Sequence, residues 1–237
     1  MDLSLTPESL QNVVGKFIIL LLSIAVHEFG HAFIADRLGD RLPRQQGRVT
    51  LNPLAHADLI GTVALPLFSL ISSGGMSTGF GWGKPVMTSG GAAYTRRFRM
   101  RVSSMFVSLA GPMMNLVFGT FIAILAVVLY KTNVFTIEQF LGRNTLASML
   151  IAAVWTNYVL MFFNLLPARP LDGGAVLEGL LPDRALRSEW FAQYQRISLF
   201  IAAAFIMVAT LGRVFTWPAE QLLNGVLHVL GLPISLG

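Results

Sequence analysis

The sequence predicts an all-α membrane protein, a polytopic bundle of about four to six transmembrane helices with a re-entrant, partly β-stranded segment near residues 47–95. Three observations carry this expectation. Of the 237 residues 54% are hydrophobic and 12% charged, and the mean hydropathy is +0.65; a soluble domain carries about 25% charged residues. Four stretches, roughly 12–36, 103–130, 145–166 and 197–217, reach the ~20 mostly apolar residues that a helix needs to cross a bilayer. The arginines collect in groups between these stretches, as they do in loops kept on one side of a membrane. The length suits a single membrane domain over 1–237, with a core over about 12–180 and C-terminal helices over 197–233.

Along the chain, the first eleven residues, MDLSLTPESLQ, lack the basic start of a cleavable signal, so the first stretch is expected to remain as a span. Arg37, Arg41, Arg44 and Arg48 follow it, Arg96, Arg97, Arg99 and Arg101 precede the second, and Arg184, Arg187 and Arg196 precede the fourth. Placing all three groups in the cytoplasm leaves the N-terminus outside. The expected setting is then a multi-pass membrane protein. The charge of +5 and pI near 10.1 follow from such loops rather than from nucleic-acid binding.

Residues 59–73, LIGTVALPLFSLISS, are apolar but short, carry Pro66, and have basic segments on both sides. They are expected to enter and leave by the same face, with a short tilted span and a second crossing at 76–95 as the alternative. GRVTL (47–51) and KPVMT (84–88) read as short strands, and 219–233 as an interfacial helix containing Glu220, Asn224 and His228. Gly74-Gly75, Gly79 to Gly83 and Gly90-Gly91 mark irregular backbone.

The chemistry concentrates in the first stretch, at His27-Glu28-Phe29-Gly30-His31. Ionisable groups inside a span are expensive and functional by default. On a helix, residues four apart share a face, so His27 and His31 form the ligand pair of an H-E-x-x-H zinc motif, with Glu28 placed as general base. No cysteine is present, so the third ligand of a catalytic zinc must be His, Asp or Glu. Asp36, Asp40, Asp58 and Asp172 lie near apolar segments. Asp172 follows Pro167 and Pro170 and precedes Gly173-Gly174, a pattern that unwinds a helix end and turns a carboxylate back into the bundle. The same pattern also suits a helix stop with a turn aspartate. By the orientation argument the first and third long stretches run in the same direction, which puts Asp172 at the depth of the histidines.

Taken with GRVTLNPLAHADLIGTVALPL (47–67), FGWGKPV (80–86), SLAGPMMN (108–115) and FNLLPARPLDGG (163–174), these residues resemble the site-2 protease family of intramembrane zinc metalloproteases, in its compact bacterial form without PDZ or CBS domains. The resemblance implies one Zn2+ held by His27, His31 and Asp172, with Glu28 as catalytic base. It implies hydrolysis of a peptide bond in or near the membrane segment of a single-span protein within the lipid bilayer. Arg169 stands where the family has an apolar residue.

Three further residues are candidates for substrate or oxyanion contacts. His56 is read as a group reaching the site or as a turn residue. Asn115 and Asn164 are read as partners for a substrate backbone or as helix–helix hydrogen bonds. A non-proteolytic metal-binding or divalent-metal transport protein using the same ligands is the alternative reading, although the internal repeats of transporters are missing.

Overall fold

The computed structural model describes residues 7–72, 81–89, 98–142, 146–207 and 209–234. Among them the chain forms α1 (Pro7–Arg37), α2 (Leu42–Gln45), α3 (Pro53–His56), a π-helical turn (Leu59–Ala64), α4 (Leu65–Ser72) and α5 (Met100–Lys131). There follow α6 (Ile137–Leu141), α7 (Leu146–Asn164), α8 (Asp172–Leu180), α9 (Asp183–Leu186), α10 (Glu189–Met207) and α11 (Ala209–Leu230).

Three helices are long and apolar enough to cross a membrane, at Leu10–Arg37, Met100–Lys131 and Leu146–Asn164. Exposed Ile18, Leu22, Val117, Phe121, Ile124 and Val128 give α1 and α5 outer faces suited to lipid, and the chain is an integral membrane protein. The fourth expected stretch, 197–217, is divided between α10 and α11, with residue 208 outside the described set. The described residues therefore carry three candidate spans where the sequence suggested at least four.

The helices pair in a fixed sense. Gly15 packs on Met149 and Ser23 meets Asn157, so α1 and α7 run parallel in one register. Gly30 packs on Ala110 while His27 meets Asn115, so α5 runs antiparallel to α1. The apolar core fills one half of this three-helix unit, around Ile122, Ala126, Ile151, Val154 and Tyr158. Ala219, Leu223 and Leu227 of α11 join it, fully buried at four-residue spacing. The tail is thus packed into the bundle by one helical face, rather than lying as a separate interfacial helix. Polar residues and the candidate site occupy the other half.

Residues 47–51 and 84–88 do not form strands, and no strand occurs among the described residues. Their backbone groups have other partners. Arg48 N–H donates to Pro43 O, Trp82 N–H to Gly61 O and Lys84 N–H to His56 O. These last two bonds show that the chain has returned by residue 82 to the start of the short apolar helix. Leu59–Ser72 measures roughly 20 Å at ~1.5 Å per residue, short of a ~30 Å hydrocarbon core. The Asp58 carboxylate caps its start by accepting from Ile60 and Gly61 N–H. The double-glycine segments at 74–75 and 90–91, and most of the alternative crossing at 76–95, lie outside the described residues.

Candidate metal centre

One helical turn separates His27 from His31 on α1, and their Nε2 atoms stand 3.0 Å apart. Asp172 Oδ2 lies 3.1 Å from His27 Nε2 and 3.4 Å from His31 Nε2. Donors held ~2.0–2.1 Å from a tetrahedral zinc are spaced by about 3.3 Å, so the trio has the edges of such a coordination sphere. The protonation pattern agrees. His31 Nδ1 is 2.7 Å from Val107 O, and a carbonyl only accepts, so in the neutral ring Nδ1 carries the hydrogen and Nε2 offers its lone pair. A carboxylate oxygen meeting imidazole lone pairs calls for a cation between them. Nitrogen and oxygen donors without thiolate suit zinc.

The loop between α7 and α8 brings the carboxylate in. Pro167 and Pro170 have no N–H to continue a helix, and the chain instead makes tight turns, with Ala168 N–H on Leu166 O at 2.7 Å and Leu171 N–H on Ala168 O at 2.9 Å. Asp172 opens α8. A Cβ on Gly173 would collide with the Leu165 and Leu166 carbonyls, so this approach of α8 to the end of α7 needs glycine. Arg169 makes two hydrogen bonds to Glu178, at 3.1 and 2.6 Å, so the residue that departs from the family pattern ties the loop to α8.

Gly111 of α5 lies beneath both rings. A Cβ there would stand 2.8 Å from His27 Cε1 and closer still to His31 Nε2. Gly111→Ala is therefore expected to displace the imidazoles and weaken zinc binding at least ~10-fold, the scale of disturbed ligand support. Competition titration against a chromophoric chelator measures it, and wild-type affinity would contradict the packing described.

Glu28 is buried beside His27 and accepts a hydrogen bond from Val86 N–H at 3.3 Å. Residues 81–89 run along α1 to reach it. Gly83 packs on Ile24 and Glu28, where a Cβ would be 2.7 Å from Ile24 Cγ2. Asp40 holds the far end, accepting from Ser89 N–H at 2.6 Å and from Ser89 Oγ at 2.9 Å. Arg48, buried, donates to Ala55 O.

The other candidates have the local and interhelical partners that were their alternative reading. His56 is 1% exposed and its Nε2 donates to Thr50 O at 2.8 Å. It stays outside the His27–His31–Asp172 cluster, its ring held by the Thr50 carbonyl. Asn115 is fully buried, its amide oxygen faces His27 Nδ1 at 2.7 Å and its NH2 reaches Ser23 and Asn157 on the neighbouring helices. Asn164 donates to Leu160 O at 2.9 Å, and its amide oxygen has no partner among the described residues. Sequence reasoning missed Val107 O and Val86 N–H, main-chain groups that no side-chain pattern reveals. It also missed Asn157, an amide in the middle of the apolar α7.

Comparison with known proteins agrees with this geometry. The model of the family described as Peptidase family M50 matches residues 16–209. A Bacillus subtilis protein named "Putative zinc metalloprotease YwhC" is 32% identical over 205 residues, 85% of this chain and 83% of its own length. "Putative zinc metalloprotease Rip2" of Mycolicibacterium smegmatis is 31% identical over 215 residues, 85% of this chain and 71% of its own. Rip2 of Mycobacterium tuberculosis H37Rv is 30% identical over 221 residues, 89% of this chain and 74% of its own. No solved structure matches the chain significantly. With a family match over most of its length and a His-His-Asp cluster fit for zinc, the chain belongs to peptidase family M50, the site-2 protease family, and is a membrane zinc metalloprotease.

Proposed function

We propose that the chain hydrolyses a peptide bond in or near the transmembrane segment of a single-span membrane protein, with His27, His31 and Asp172 as zinc ligands and Glu28 as general base. The observation that carries this reading is the meeting of three donor atoms within 4.8 Å of one another, at tetrahedral spacing and beside a buried glutamate. The domain extends over the whole chain, 1–237, with the C-terminal helices as its buttress.

When bound, zinc supplies Lewis acidity that polarises a carbonyl and acidifies water. Val86 N–H holds one oxygen of Glu28. The carboxylate takes a proton from the attacking water and later delivers it to the leaving amine, so that one water adds across the broken C–N bond. The amide oxygen of Asn164, without a partner among the described residues, is a candidate acceptor for a substrate N–H. Residues 84–88 pass over Glu28, with Met87 exposed, and form the surface on which a locally unwound substrate lies.

The proposed setting is a bacterial inner membrane with the N-terminus outside and the site towards the cytoplasm. Arg101 at the start of α5 pairs with Asp183 at 2.6 Å, and Ala35 near the end of α1 packs with Val107. Arg99 and Arg101 thus lie with the basic residues after α1 and around α9 at the end of the bundle that carries the metal centre, which suits the positive-inside rule. The re-entrant reading of 59–73 is supported by the return of residues 82–84 to Gly61 and His56.

The test is cleavage of a single-span reporter by the purified protein in liposomes. Stripping with a chelator is expected to abolish cleavage and added zinc to restore it. Cleavage at full rate by metal-free protein would refute the mechanism.

A further inference from the structure

Between α1, α5 and α7 lies a polar chain that the proposed chemistry does not use. Ser23, Asn115 and Asn157 are each fully buried in the half of the bundle next to the metal centre. Their hydrogen bonds run in sequence. Asn157 Nδ2 donates to Ala153 O at 2.9 Å and to Ser23 Oγ at 2.9 Å. Asn115 Nδ2 donates to Asn157 Oδ1 at 2.8 Å and to Ser23 O at 3.1 Å. Asn115 Oδ1 then accepts from His27 Nδ1 at 2.7 Å. Ser23 Oγ gives its own hydrogen to Ile19 O at 2.8 Å and is left to accept.

The order of donors in this chain is dictated at its ends. Ala153 O and Ser23 O are main-chain carbonyls, which only accept. Asn157 must therefore turn its NH2 towards Ala153, which leaves its oxygen facing Asn115. Asn115 must in turn give its NH2 to that oxygen and to Ser23 O, so its own oxygen faces His27. An amide oxygen cannot donate, so the hydrogen of a neutral His27 sits on Nδ1 and the lone pair of Nε2 points at His31 and Asp172. Reversing either amide sets acceptor against acceptor in a buried site, which is unfavourable by the desolvation penalty of an unpaired polar group. A reversed Asn115 would also present N–H to His27 Nδ1 and drive the ring hydrogen to Nε2, into the space between the three ligands.

We infer that Asn157 is a positioning residue for the metal centre: acting through Asn115, it sets the ring orientation and the tautomer of His27, which His31 obtains directly from the Val107 carbonyl. The inference rests on the reading of His27 as a zinc ligand. Supporting partners of ligating histidines are commonly worth 10–100-fold in metal affinity, and two side chains in series make this support breakable at a distance from the metal.

The experiment compares zinc affinity, by chelator competition, and the visible ligand-field spectrum of the Co2+-loaded protein. The proteins are wild type, Asn157→Leu, Ser23→Ala, Thr120→Val and His27→Ala, purified in detergent. Asn157→Leu is expected to weaken zinc binding by about 10–100-fold and to alter the Co2+ spectrum. Thr120→Val removes a second polar tie between α5 and α7, from Thr120 Oγ1 to Tyr158 OH at 3.0 Å, without touching His27. It is expected to leave both readouts at wild-type values, which separates tautomer control from mere helix packing. Zinc affinity within about twofold of wild type and an unchanged spectrum in folded Asn157→Leu overturn the inference, as does an equal loss in Thr120→Val. Should Asn157→Leu not fold, Ser23→Ala decides, with a several-fold loss expected and unchanged affinity overturning the relay. His27→Ala tests the underlying reading: retained affinity there overturns the ligand assignment together with the relay, whereas its loss alongside an unaffected Asn157→Leu overturns the relay alone.

Discussion

Glu28→Gln is expected to keep its zinc and to lose cleavage of a membrane substrate by about 10²–10⁴-fold, the range that a positioned general base contributes. The substitution is isosteric. An amide oxygen still accepts from Val86 N–H, so the 81–89 segment keeps its seat on α1. The carboxylate's capacity to take a proton is lost. Zinc content by elemental analysis and turnover in liposomes, measured on the same preparation, separate the two properties. Wild-type turnover in a zinc-replete Gln variant would remove Glu28 from the chemistry. Zinc lost together with activity would instead give Glu28 a structural part in the metal centre.

The second large effect is expected for Asp172→Ala. This residue supplies the only carboxylate of the cluster, and without it two imidazoles on one helix are left to hold a dication. The loss of affinity is expected to exceed the ~10–100-fold typical of changes in outer support, and cleavage should disappear with the metal. Asp172→Asn keeps the size of the side chain and the turn around Gly173, and it is expected to bind zinc better than the alanine variant and worse than wild type. Stoichiometric zinc after dialysis of Asp172→Ala would show that the 3.1 and 3.4 Å approaches to the imidazoles are incidental.

The two halves of the candidate site were legible to different degrees, for physical reasons. His27, Glu28 and His31 are local. Helical periodicity alone puts the imidazoles one turn apart, and their chemistry is conspicuous in an apolar stretch. Asp172 required an argument about direction: α1 and α7 must run parallel for it to reach the histidines. The packing of Gly15 on Met149 and the bond from Asn157 to Ser23 show that they do.

Asn115 was visible as a buried amide, but sequence spacing does not say which way an amide faces. The structure turns it to His27. His56 takes the turn alternative in its described contacts, since the loop that holds it is organised by Thr50 O and Lys84 N–H. The strand pattern at 47–51 and 84–88 failed because β-propensity needs a ladder partner, and here the partners are single groups on helical turns.

Composition, periodicity and the placement of arginines were enough to determine a membrane bundle with a two-histidine motif and a proline-broken carboxylate loop. These are properties of short windows, in which hydrophobicity and helical spacing act without reference to the rest of the chain. The tertiary structure alone decided which distant groups complete the centre: Val107 O behind one ring, an amide relay behind the other, Gly111 beneath both and Val86 N–H on the glutamate. Each is a contact made by main chain, by missing side chain or by an amide's orientation. Such features exist only when helices far apart in sequence cross at a particular point.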